Sequence, residues 1–148
     1  MRTRIVAEPI VLTDEQFASL NEKYPTSRRG SNHAVGARAA DIAKIFLEGL
    51  YPGCRFVEPT PGADLAIFDP YINIESPMQF EVKGTAEQRI CISNIVASSE
   101  KSGNLIESEG VPILRITGVF EQSPQIAVLV HGEDFVLEHE YRKRAKPL

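Results

Sequence analysis

The sequence predicts an α/β fold, with a mixed central sheet of about five strands flanked by helices, and three observations carry that prediction. Residues 33–50 hold apolar side chains at helical spacing: Val35, Ala39, Ile42, Ala43, Phe46, Leu47 and Leu50 share one stripe. Short runs suited to strands follow at 54–57, 64–68 and 80–83. Two more apolar runs, 111–119 and 125–130, come after a second helical stretch. At 148 residues the chain has the length of one domain. It divides into an N-terminal strand and helix over 1–30, a core over about 31–130, and a C-terminal helix with a basic tail over 131–148.

Taken in order, residues 4–12 read as an edge strand interrupted by Pro9. Thr13 and Gln16 have the spacing of a capping box, so a helix starts there and stops before Pro25. Residues 25–32 are turn formers, and Ser31 or Asn32 can cap the long helix that follows. Tyr51-Pro52-Gly53 ends that helix. A Pro-Thr-Pro-Gly turn leads into Asp64. After a break at Gly84-Thr85, residues 89–93 read as a strand, and Ser93 or Asn94 as the cap of a helix reaching Glu109. Gly103 weakens that helix by ~1 kcal/mol, and the polar content of the helix suggests that it lies exposed. The Glu-Gln-Ser-Pro stretch between the last two apolar runs suggests a hairpin. From Glu133 the favourable spacing of Glu138 and Arg142 predicts a helix.

Composition bounds function. Apolar residues are 43% and charged residues 24%, the mixture of a soluble domain. No membrane-length apolar run or secretory leader is expected, which makes the protein cytoplasmic and Cys54 and Cys91 reduced thiols. No Cys/His cluster suggests zinc. A net charge of −4 argues against coating nucleic acid by charge alone, although clustered basic residues still allow local contacts.

The central stretch is 62–85, read as a β-hairpin with Asp64 on its first strand and Glu81-Val82-Lys83 on its second. If Asp64 pairs opposite Lys83, then Ala66 faces Glu81 and Phe68 faces Gln79. Asp64, Glu81 and Lys83 then emerge on one face, with Leu65, Ile67, Phe80 and Val82 on the other. The two carboxylates become diagonal neighbours, Cα atoms roughly 7–8 Å apart, close enough to share a divalent cation. A one-residue slip would send Asp64 to the opposite face. The competing reading is a solvated polar strand face with a salt bridge.

Asp, 16 intervening residues, then Glu-x-Lys on a hairpin resembles the PD-(D/E)XK nuclease superfamily, of restriction-endonuclease-like fold. Ala63 stands where that pattern often has proline. Over about residues 30–120, the order helix, GADLAI, FEVKGT, strand, helix, strand is similar to small Mrr-like and NO VEIN-type nuclease domains and to archaeal Holliday junction resolvases. The resemblance implies an Mg2+- or Mn2+-dependent endonuclease acting on DNA, with RNA still open, and with restriction or phage defence as one setting. Asp64, Glu81 and the backbone carbonyl of Val82 would hold the metal, and Lys83 would orient the attacking water or stabilise the phosphate. Cutting two strands would favour a homodimer. The alternative is a nuclease-fold module that binds nucleic acid or a protein partner without cutting.

Weaker candidates surround the triplet. Many nucleases of the superfamily that the sequence resembles carry a helix acid into the metal site; Asp41 is a weak candidate for that role, since the helical wheel turns it and Glu48 toward solvent. Gln88 is a candidate for touching substrate or a metal-bound water, and equally a surface turn residue. Thr85 could bond a phosphate or merely end a strand. Arg28, Arg29 and Arg38, near the start of the long helix, are candidates for phosphate contact or a solvated basic loop. Arg142, Lys143, Arg144 and Lys146 form the basic tail, read as solvated. His33, His131 and His139 are scattered and read as structural or surface residues.

Overall fold

The structure is a computed structural model describing residues 5–72, 75–90, 92, 94–139 and 143–148. Eight strands and three α-helices occur among them, in the order β1 (Glu8–Pro9), α1 (Asp14–Lys23), α2 (Asn32–Leu50), β2 (Arg55–Val57), β3 (Leu65–Phe68), β4 (Met78–Gly84), α3 (Glu100–Ser108), β5 (Ile113–Thr117), β6 (Gln125–Leu129), β7 (Phe135–His139) and β8 (Lys143–Pro147). A 3-10 turn at Thr26–Arg28 separates α1 from α2. Six strands form one mixed sheet in the order β1-β6-β5-β4-β3-β2, and β7 and β8 form a separate hairpin. The α/β class therefore holds, with one strand more than expected.

The local signals worked where they are local. Thr13 and Gln16 close both halves of the capping box, at 3.0 and 2.9 Å. Ser31 caps α2 by accepting from the Ala34 amide. The N-terminal thirty residues are more than an extension: β1 pairs with β6, and Ile10, Leu12 and Leu20 are core residues.

The sheet is covered on both faces. On one, α1 and α2 pack against Leu65, Ile67, Phe80, Leu114, Ile116 and Ile126. On the other, Ile106 of α3 and Phe135, Leu137 and Ala145 of the hairpin pack against Ile113, Ala127 and Leu129. Every residue of β5 is buried, as suits a strand sandwiched between two layers. β4 and β5 run parallel, Glu81 beside Ile113 and Lys83 beside Arg115. Helix α3 is the crossover that such a pairing needs. From α2 onward the chain thus runs helix, three antiparallel strands, helix, and a fourth strand parallel to the third.

Four expectations are corrected. Arg89, Ile90 and Ile92 lie in no strand, and Cys91 and the candidate cap Ser93 lie outside the described residues. The following helix begins only at Glu100 and is capped by Ser99, not by Asn94, because Ser99 Oγ accepts the Ser102 amide at 3.1 Å. The helix is not exposed: Ser102, Gly103, Leu105 and Ile106 are buried, with Ile106 in the core and the Lys143 side chain crossing Gly103. The tail is a β-hairpin instead of a helix; Phe135 and Leu137 alternate inward with Val136 and Glu138 turned outward, and burial against α3 and β6 outweighs the Glu138 and Arg142 spacing. Arg142 itself lies outside the described residues.

The apolar stripe of α2 is rotated slightly from its expected phase. Ala39, Ile42, Ala43 and Leu47 are fully buried, Val35 and Phe46 half-buried, and Leu50 exposed. The arc extends instead to Ala34 and Arg38. Its centre presses on β4 at Gly84, where a Cβ would stand 2.3 Å from Ala39 Cβ. The strand and helix can approach this closely only at a residue without a side chain, so Gly84 belongs to the strand and does not break it. No helix among the described residues is long and apolar enough to cross a membrane.

Candidate functional site

β3 and β4 pair with Leu65 opposite Phe80, Ala66 opposite Gln79 and Ile67 opposite Met78. Asp64 lies one residue before this paired segment, where the regular ladder ends; its bonds run to Phe80 and Val82, so it does not pair opposite Lys83 as expected. For the paired residues the register differs from the expected one by two, so Leu65, Ile67 and Phe80 keep their face. The two carboxylates adjoin, close enough for Asp64 to act on Glu81 through a side-chain hydrogen bond and through its charge. The chain turns immediately after Phe68, where Asp69 Oδ1 accepts the Tyr71 amide at 2.9 Å.

Asp64 lies just before β3 and is exposed. Its amide donates to the Phe80 carbonyl at 2.9 Å, and its Oδ2 accepts the Val82 amide at 2.8 Å. The carboxylate thus takes the ladder position vacated where β3 begins. In a strand, the amide and carbonyl of one residue point to the same neighbour. The Val82 carbonyl therefore faces the same vacated edge, beside Asp64.

Glu81 is fully buried. Ser102 Oγ, from the first turn of α3, donates to its Oε1 at 2.7 Å. Its Oε2 is buried and has no hydrogen-bond partner. Burial is the main reason its pKa rises to about 8; the adjoining Asp64 carboxylate raises it further, while the Ser102 hydroxyl and the Lys83 charge pull it down. When neutral, Glu81 can share its proton with Asp64. When ionised, its Oε2 faces another carboxylate with no donor.

Lys83 is half-buried on the same face. The salt bridge of the competing reading is not seen: among the described residues the Lys83 ammonium pairs with no carboxylate. Its carbonyl accepts from Arg115 Nη1 at 3.3 Å, and Arg115 Nη2 donates to Asn94 Oδ1 at 2.5 Å. Arg115 is itself buried on β5. Ser102 and Arg115 were not legible as site residues, because each enters from an element whose pairing with β4 is set by the fold.

The weaker candidates lie elsewhere. Asp41 is on α2, across the sheet from Glu81, where it accepts from Tyr24 Oη at 2.9 Å and pairs with Lys23 at 3.4 Å. Burial, followed by this bond, raises the Tyr24 pKa. Thr85 Oγ1 accepts the Glu87 amide, and Gln88 donates to Glu121 at 3.2 Å. Arg29 pairs with Glu121 at 3.6 Å over the Phe120 ring, and Arg28 is exposed. Arg38 is a correction: it is wholly buried and cannot meet a phosphate at the surface. Its Nε donates to the Val119 carbonyl at 2.5 Å, and its Nη1 to Asn21 Oδ1 and the Tyr24 carbonyl, both at 2.9 Å. It ties α1 and α2 to the end of β5.

An open groove of about 880 Å3 passes the other end of β4, lined by Phe46, Leu50, Met78, Leu105 and Val128 among others. Asp64, Glu81 and Lys83 are not in its lining, so it is separate from the carboxylate pair. Among the described residues no three His, Cys, Asp or Glu side chains gather as a metal cluster. The candidate ligand set is therefore two carboxylates and a backbone carbonyl. Comparison of the chain with protein-family models, curated proteins and solved structures gave no match.

Proposed function

We propose that this protein is a divalent-metal-dependent endonuclease of the PD-(D/E)XK type, acting on DNA through Asp64, Glu81 and Lys83. The observation that carries the reading is the adjoining pair of carboxylates Asp64 and Glu81, with Glu81 Oε2 buried and lacking any donor. Hard oxygen donors of this kind suit Mg2+ or Mn2+. Asp64, Glu81 and the Val82 carbonyl would hold the ion, and its charge would offset the repulsion between the two acids. When bound, such an ion supplies charge neutralisation at the phosphate and an acidic water. The Lys83 ammonium, on the same face and in no salt bridge among the described residues, is available to orient the attacking water or stabilise the charged phosphate. The order helix, three antiparallel strands, helix, parallel strand adds support at the level of fold.

A second reading is a binding module that no longer cuts. It is favoured by the burial of Arg38, which removes one phosphate contact, and by the net charge of −4.

The test is cleavage of duplex, branched and single-stranded DNA, and of RNA, with Mg2+ or Mn2+ and with chelator. The parent should cut with metal and be silent without it. Asp64→Asn should abolish cleavage yet fold, because asparagine keeps an acceptor for the Val82 amide. Lys83→Met should retain metal-induced stabilisation and lose about 100- to 1,000-fold in rate. No metal-dependent cleavage of any substrate would favour the module instead.

A further inference from the structure

Glu81 is roofed by the first turn of α3. Ser102 is the third residue of that helix and is fully buried. Its backbone is held from two sides. Ser99 Oγ accepts its amide at 3.1 Å. Gly62, at φ 99°, sits so close that a Cβ there would come within 2.9 Å of Lys101 Cβ and 3.0 Å of the Ser102 nitrogen. The turn that delivers Asp64 therefore packs on the helical turn that holds Glu81. Within this frame the Ser102 hydroxyl donates to one oxygen of Glu81 and leaves the other without a partner. A glutamate side chain turns about three torsions, and among the described residues Ser102 is the donor that holds this carboxylate.

We propose that Ser102 is a positioning residue of the Asp64 and Glu81 site, fixing Glu81 Oε1 so that Oε2 and the Asp64 carboxylate converge on one divalent cation. The inference rests on the metal-site reading above. Outer partners of metal-binding carboxylates orient the ligand, and losing one typically weakens metal affinity about 10- to 100-fold.

The experiment titrates Mn2+ alone into the purified full-length chain and follows the loss of the free-ion signal by electron paramagnetic resonance. Asp64→Asn reports on the site; Ser102→Ala and Ser102→Cys remove the strong donor; Ser102→Thr keeps it. Circular dichroism melts verify folding, and Ser102→Cys keeps the side-chain volume should Ser102→Ala fail to fold. The parent should bind Mn2+ and Asp64→Asn should not. Ser102→Ala and Ser102→Cys should bind about 10- to 100-fold more weakly, with Ser102→Thr recovering most of the loss. Parent-like affinity in folded Ser102→Ala or Ser102→Cys overturns the role of Ser102 and leaves the metal site standing. A Ser102→Thr variant as weak as Ser102→Ala also overturns it, since the hydroxyl would then not be the active feature. A parent that binds no Mn2+, or an Asp64→Asn variant that binds equally, removes the metal site and the inference together.

Discussion

Glu81→Gln, compared with the parent across pH in the presence of chelator, isolates what it costs to bury one acid beside another. In the folded chain the Glu81 pKa is raised from 4.5 to about 8. The folded state therefore keeps a proton that the unfolded chain releases above about pH 4.5. The contribution is fully favourable below that pH, declines as pH rises toward 8, and is flat beyond it. The shift corresponds to roughly 3–5 kcal/mol, a large part of the 5–15 kcal/mol typical of a domain. The amide introduced by Glu81→Gln would accept from Ser102 and donate to Asp64 without titrating. Urea unfolding at steps from about pH 5 to about pH 9 should give nearly equal stabilities at the acid end. The parent should then fall behind progressively, while Glu81→Gln stays ahead. Parallel stability profiles would show that Glu81 is not a strained buried acid, and would remove the electrostatic reason for a cation at this position.

Three further outcomes are expected. Metal binding must expel the Glu81 proton, so Mn2+ affinity should rise about tenfold per pH unit up to about pH 8 and then level off; calorimetry in buffers of different ionisation enthalpy would count the proton, and a pH-independent affinity would take Glu81 out of the ligand set. Arg38→Met should lower stability by about 2–4 kcal/mol, because the Val119 and Tyr24 carbonyls and Asn21 lose a buried donor; a parent-like urea midpoint would refute that role. Gly84→Ala should cost about 1–3 kcal/mol by forcing β4 and α2 apart, and adding Ala39→Gly should recover part of it, net of about 1 kcal/mol of lost helix propensity; unfolding of the two variants measures both terms.

What the sequence made legible was local or periodic. Thr13 with Gln16, and Ser31 before α2, declare helix starts through contacts within four residues. The alternation of Leu65, Ile67, Phe80 and Val82 assigned Asp64, Glu81 and Lys83 to one face. It could not fix the register, because a slip of two residues leaves every face unchanged and the loop after Phe68 has no short turn motif. The C-terminal hairpin was hidden by a helical charge spacing, although the Phe135 and Leu137 alternation was present and the sheet's second face needed cover. Ser102 was missed because the start of α3 was read at the earlier polar residues; Ser99 followed by Glu100 is the cap signature that marks it. Arg38 carried no signal of burial beyond sharing a helical face with Ala34 and Ile42.

The two rims of the six-stranded sheet bear on assembly. One ends in β1, only Glu8–Pro9, and the proline ring has no amide hydrogen to offer a further strand. The other ends in β2, three residues long, with Arg55 exposed. Short, charged or proline-bearing rims resist edge-to-edge joining of sheets. Should the proposed cleavage of a duplex require two of these chains, the rims of the six-stranded sheet would offer them little backbone ladder, and the distance between the two Asp64 and Glu81 pairs would depend on side-chain packing elsewhere.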